Sequence, residues 1–142
     1  MPPIQTVYSE NIDAARAGQV ADMGAAVMLS RVAEEVIGFG LPVVEGTADN
    51  QALLSDTGDT VILGISVRER STINDNFAIN DNMRVLKSGS IWVTVVATVA
   101  PGDPVHVIVA AQTFTNTGGV AIANAVYETS ATSGNLARVR IS

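Results

Sequence analysis

Ile91-Trp92-Val93-Thr94-Val95-Val96-Ala97-Thr98-Val99 places an aliphatic side chain at every odd position, with Trp92, Thr94, Val96 and Thr98 between them. Side chains that alternate with a period of two point to opposite faces of an extended chain, so the run reads as a strand with one face inward. The same parity recurs in Val61, Leu63, Ile65 and Val67, and in Val105, Val107 and Val109 around His106 and Ile108. It closes the chain in Ala137, Val139 and Ile141, set against Arg138 and Arg140. These runs decide the fold class, which is all-β.

Turn chemistry links the runs. Lys87-Ser88-Gly89-Ser90 suits a tight hairpin into Ile91, and Ala100-Pro101-Gly102-Asp103 carries Pro then Gly at the two central positions of a type II turn. The strands from Met83 to Val109 are therefore expected to form an antiparallel meander. Asn116-Thr117-Gly118-Gly119 and Thr132-Ser133-Gly134-Asn135 add two turns. About seven or eight short strands result, at the spacing of a small antiparallel β-barrel or β-sandwich.

Upstream the pattern is mixed. Val32 and Val36 stand four apart behind Ser30 as an N-cap, which predicts a short helix ending at Gly38. Phe39 to Gly46 reads as extended because Pro42 forbids a helix interior, and Thr47 to Asp59 reads as a polar loop. Residues 1 to 25 sustain neither period and read as an extended N-terminal arm, with room for one helical turn at Ile12 to Ala17. Residues 26 to 142 form the single β domain. An ordered arm without a core of its own packs on something else, often a neighbouring subunit.

Composition narrows the function. The 142 residues are 47% hydrophobic and 15% charged, with 20 Val, 19 Ala and 12 Thr. Soluble domains average about 25% charged, so much of this surface is Thr, Ser, Asn, Gly and Ala, a surface suited to contact with other protein. A net charge of -6 argues against capture of nucleic acid or of an anionic membrane. The absence of Cys excludes disulfides and thiolate chemistry and fits folding in a reducing cytoplasm. The amino terminus lacks the basic then apolar regions of a secretory signal, and Ile91 to Ala100 is half the roughly 20 residues that span a bilayer.

No catalytic constellation emerges. His106 is the only His and no G-x-S-x-G motif accompanies it. Ile73-Asn74-Asp75-Asn76 and Ile79-Asn80-Asp81-Asn82 echo each other with oxygen-bearing side chains, but lack the Gly and distal Glu of a calcium loop and read as turns. Glu34 and Glu35 are adjacent, too divergent for an acid/base pair. Gly38, Gly40 and Gly46 match no phosphate-binding pattern and mark bends. Trp92 lies on the outward face of its strand, where it would stack on a sugar or be covered by the arm or a partner subunit. The chain thus reads as a binding protein and not an enzyme, with no cofactor and no metal.

In order and spacing the sequence resembles the structural cement, or head decoration, proteins of tailed double-stranded DNA phages. The resemblance runs from Gly18 to the end and is carried by Gly18-Gln19-Val20-Ala21-Asp22, Ser30-Arg31-Val32-Ala33-Glu34 with Phe39-Gly40 and Val43-Val44, and Leu63-Gly64-Ile65. It continues in Val85-Leu86-Lys87-Ser88-Gly89-Ser90-Ile91-Trp92-Val93, Gly102-Asp103-Pro104-Val105, Asn124 to Ser130, and Leu136-Ala137-Arg138-Val139. Ile73 to Asn82 departs from it as an insertion. The resemblance implies a homotrimer on the outer surface of an icosahedral head that bridges neighbouring major capsid proteins, with no catalytic or ligand residue to carry over. Ile4, Val7, Tyr8 and Ile12 of the arm are then the expected shell or intersubunit anchors, with Phe39 and Trp92 as candidate interface rings. The alternative is a carbohydrate- or receptor-binding β module of a virion, built on Trp92 and the Asn-Asp loop.

Overall fold

The computed structural model describes residues 16–21, 25–69 and 76–142. Among them there is no helix. Eleven strands follow in order: β1 (Val27–Ala33), β2 (Ile37–Gly38), β3 (Pro42–Glu45), β4 (Gln51–Leu54), β5 (Gly64–Ser66), β6 (Asn76–Phe77), β7 (Asn82–Thr94), β8 (Pro104–Ile108), β9 (Thr113–Thr115), β10 (Val120–Tyr127) and β11 (Leu136–Ile141).

The organising element is β7, 13 residues long. Its first half is flanked by β1 on one edge and β5 on the other, with Val85 opposite Leu29 and Ser66, and Leu86 opposite Met28 and Ile65. β5 pairs with β3, β3 with β4, and β4 with β1, so these five strands close into a small barrel. Closure gives each of the five a partner on both sides, although β1 meets β4 only at Val32 and Ala33, and so shortens the edge that would otherwise recruit other chains. The second half of β7 pairs with β11 from Gly89↔Ile141 to Thr94↔Leu136. From there β10, β8 and β9 extend the sheet, and it curls back until Val95 bridges Phe114 of β9.

Each half has its own core. Ala33, Ile37, Phe39, Val43, Ala52, Phe77, Met83 and Val85 fill the barrel, and the small β2–β6 pair delivers Ile37 and Phe77 to it. The larger cluster lies against the second half and includes Ile91, Val93, Val95, Val105, Val107, Phe114, Tyr127, Val139 and Ile141, with Ile65 and Leu86 joining it from β5 and β7. The alternation read in the sequence therefore holds where it matters: Ile91, Val93, Val95, Ala137 and Val139 are all fully buried. Burying each Val, Ile or Leu contributes about 1.5–3 kcal/mol.

Four expectations are corrected. Lys87-Ser88-Gly89-Ser90 makes no hairpin, because β7 runs straight through it and the chain before Ile91 is held on both sides by β1 and β11. Gly89 instead supplies a bend at φ 129° where the strand passes from one half to the other. The meander from Met83 to Val109 is accordingly absent, since β8 lies beside β10 and β9 and not beside β7. Ser30 to Gly38 is no helix: Val32, Ala33 and Glu34 donate their backbone N–H groups to Asn50, Asp81 and Ala52, partners remote in sequence that only an extended segment meets. The polar loop over Thr47 to Asp59 contains β4, whose Ala52 is fully buried in the barrel. The turn at Ala100-Pro101-Gly102-Asp103 forms as read, with Asp103 N–H donating to Ala100 O at 3.1 Å and Gly102 at φ 90°.

Candidate functional site

Residues 16–21, which form the root of the expected N-terminal arm, are built into the sheet. Gln19 N–H donates to Arg16 O at 3.0 Å with Gly18 at φ 84°, a type II turn that reverses the chain. Beyond it Gly18 N–H donates to Trp92 O (2.8 Å), Trp92 N–H to Gln19 O (3.0 Å) and Ala21 N–H to Ser90 O (2.9 Å). The root therefore lies along the edge of β7 opposite β11, and Val20 pairs with Ile91. Arg68 fixes it from the other side: its backbone N–H donates to Gly18 O at 2.7 Å and its Nε to Ala17 O at 3.0 Å.

Phe39 sits directly beneath. It is 6% exposed, meets Phe77 edge-on at 5.0 Å between centroids, and carries the Arg68 guanidinium 4.9 Å above its ring. Such a stacked cation holds its charge over the negative face of the ring. Trp92 is half-buried on the face of β7 opposite Ile91 and Val93. Ile4, Val7, Tyr8 and Ile12 lie outside the described residues.

A second feature escaped the sequence reading. At the seam between the two halves runs a largely apolar groove of about 430 Å³, lined by Val27, Ile62, Leu63, Ile122, Ala123 and Ile141 among others. Val27 is 52% exposed and Val61, at the mouth of the neighbouring hollow, 76%. Period two had placed Val61 inside. The signal that could have shown otherwise is Val61-Ile62-Leu63, apolar on both parities, which a one-sided strand has no use for.

The polar candidates act as latches. His106 Nδ1 lies 2.8 Å from Gly118 O at an exposed turn. Glu34 accepts from the backbone N–H of Thr47 at 3.1 Å and from its hydroxyl, and Glu35 accepts from Leu54 N–H at 3.0 Å, so the two carboxylates secure separate stretches of backbone. Asp81 accepts from Ala78 N–H at 2.9 Å in a turn; the first Asn-Asp-Asn copy falls partly outside the described residues. Glu128 gathers the hydroxyl of buried Ser90 (2.8 Å), Arg138 Nε (3.4 Å) and Arg140 Nε (3.3 Å). Asp103 accepts from Ala100 N–H (2.9 Å) and Asn116 Nδ2 (3.0 Å), and these bonds, the backbone one foremost, hold its carboxyl below the usual carboxylate range. Tyr127 donates its hydroxyl to Thr115 O at 2.8 Å; burial, and secondarily the nearby Asp103 charge, push its pKa up. Among the described residues no group of three or more His, Cys, Asp or Glu is placed to hold a metal ion.

What the arrangement offers is surface: residues 16–21 held along the sheet edge, an apolar seam and hydrogen-bonded turns. Comparison with known proteins agrees with that character. A family model described as structural cement protein (E217 gp24/Pam3 gp6) matches residues 4–142. A chain in the structure of the capsid of Myoviridae phage XM1 superposes with a TM-score of 0.79 at 22% identity, covering 100% of this chain and 98% of that one. The head fiber gp8.5 N base of bacteriophage phi29 superposes with a TM-score of 0.56 at 15% identity, covering 83% of this chain and 95% of that one. No curated protein sequence matches. With the family model spanning nearly the whole chain, the chain belongs to the structural cement protein family and is a structural protein of the phage capsid.

Proposed function

We infer that this protein cements the phage head: it docks on the outer surface of the icosahedral capsid and bridges neighbouring major capsid proteins. The observation that carries this reading is the exposed apolar seam, with Val27 exposed on its wall and Val61 exposed at the hollow beside it, on a protein of a capsid cement family. Exposed aliphatic groove walls of this kind gain stability when another protein covers them.

Residues 1 to 25 serve as the arm and 26 to 142 as the β domain. Ile4, Val7, Tyr8 and Ile12 supply apolar anchors, Trp92 supplies a partly exposed ring, and Phe39 contributes from beneath by holding the Arg68 side chain that fixes the arm root. The protein folds in the host cytoplasm and acts as a homotrimer. A trimer engages several capsid subunits at once, so that modest contacts add through avidity and resist expansion by packaged DNA.

Purified particles of the encoding phage test this. The chain is expected in near-stoichiometric ratio to the major capsid protein, accessible to antibody on intact heads, and lost when residues 1 to 15 are deleted while the root at Arg16 to Ala21 is kept. A handful of copies per particle, or none, overturns the cement reading.

A further inference from the structure

Arg16, the first described residue of the arm root, stands on the lip of a second groove, of about 440 Å³. Arg16, Arg68 and Arg84 line it together with Gln19, over a floor of Val20, Met28 and Val67. Three of the eight Lys and Arg residues of a chain with net charge -6 thus converge on one hollow. Two are held in place: Arg68 by Ala17 O and the Phe39 ring, Arg84 by Glu69 at 2.7 Å.

The segment that arrives at this lip has the complementary chemistry. Residues 1 to 15 contain no Lys or Arg; their charged side chains are Glu10 and Asp13, with Ile12 between them. Three residues of chain reach at most about 11 Å, so Asp13 cannot leave the neighbourhood of a groove that Arg16 itself lines. The type II turn brings Arg16 beside Gln19, and both line the groove, so the residue to which this segment is joined lies at the groove itself.

We propose that Glu10 to Asp13 seat in this groove of their own molecule, the carboxylates against the arginines and Ile12 over Val20, Met28 and Val67. Partly desolvated carboxylate–guanidinium contacts are the stronger kind of hydrogen bond and fix direction as well as position. The seat narrows the outward anchors proposed above from Ile4, Val7, Tyr8 and Ile12 to the first three, with Ile12 packed on the protein's own surface. It does not rest on capsid docking, and it is tested without particles.

Hydrogen exchange of the full chain, read by mass spectrometry over residues 1 to 15, tests the seat. Exchange there is expected to be about tenfold faster in Asp13→Arg and in Arg84→Glu than in the native chain, and slowed again in the double variant that swaps the charges. Equal exchange in all four proteins overturns the proposal. Protection that rises with protein concentration overturns the same-molecule assignment and places the segment on a second copy. Should Arg84→Glu also loosen β7, the native chain in rising salt decides: exchange over residues 1 to 15 must accelerate while β7 stays protected, and salt-independent exchange overturns the seat.

Discussion

Gly18 and Gly40 meet backbone to backbone: a Cβ on Gly18 would lie 2.6 Å from Gly40 N, and one on Gly40 would lie 2.5 Å from Gly18 N. Both residues also have φ in the left-handed region, 84° and 72°. The segment at Gly18 and the loop between β2 and β3 therefore touch at a point with no room for any side chain. Gly18→Ala and Gly40→Ala are each expected to cost at least about 2 kcal/mol in urea unfolding, through strain and displacement together. They should also shift the emission of Trp92, whose carbonyl accepts the Gly18 N–H. Variants as stable as the native chain would show that this approach is not tight in solution.

Asp103 gives an acid dependence of definite sign. Its carboxyl is held below the ordinary value in the folded state, so its stabilising effect is complete above that value and is lost as pH falls through the folded one. Asp103→Asn removes the dependence. The stability difference between the native chain and Asp103→Asn, measured by urea unfolding, should be constant near neutrality and shrink as pH falls through and below the ordinary carboxylate range. A difference that grows on acidification would contradict the assignment.

Glu128 and Ser90 should be coupled. Ser90 is 2% exposed and its hydroxyl donates to Glu128, whereas Arg138 and Arg140 meet the same carboxylate from more open positions. Partly exposed ion pairs contribute little, about 0–1 kcal/mol, but a buried hydroxyl deprived of its acceptor costs about 1–3 kcal/mol. Glu128→Ala is thus expected to destabilise chiefly through Ser90, and Ser90→Ala in that background should recover part of the loss. A double-mutant cycle with no coupling would assign the effect to the arginines instead.

Val61 separates stability from docking. At 76% exposure it contributes little to the core, so Val61→Asp should leave unfolding within about 0.5 kcal/mol of the native value. Copies per particle should nevertheless fall about tenfold if the apolar seam and the hollow beside it face the shell. Unchanged occupancy would move the contact to another face.

These residues also show which parts of the fold were legible in the sequence. Strands whose two faces meet different surroundings declared themselves: Ala137, Val139 and Ile141 point into the core while Arg140 faces out. The hairpin reading of Lys87 to Ser90 went wrong because Ser and Gly serve equally for a turn and for a bend inside a strand, and only the distant partners β1 and β11 decide between them. Ala52 was missed for a related reason. In a barrel this narrow a four-residue strand with one small inward residue suffices, and so short a pattern does not stand out from a loop. The arginine groove assembles Arg16, Arg68 and Arg84 from three separate segments, which no local spacing reveals.

The single strand from Asn82 to Thr94 has a last consequence. Because one unbroken length of backbone is a wall of the barrel and also the first strand of the sheet beyond it, neither half can melt and leave the other its full complement of partners. Heating should therefore produce one sharp heat-absorption peak with equal calorimetric and van't Hoff enthalpies, although the molecule has two cores. A tug applied to either half would reach the other along covalent bonds, so the molecule transmits load as one body.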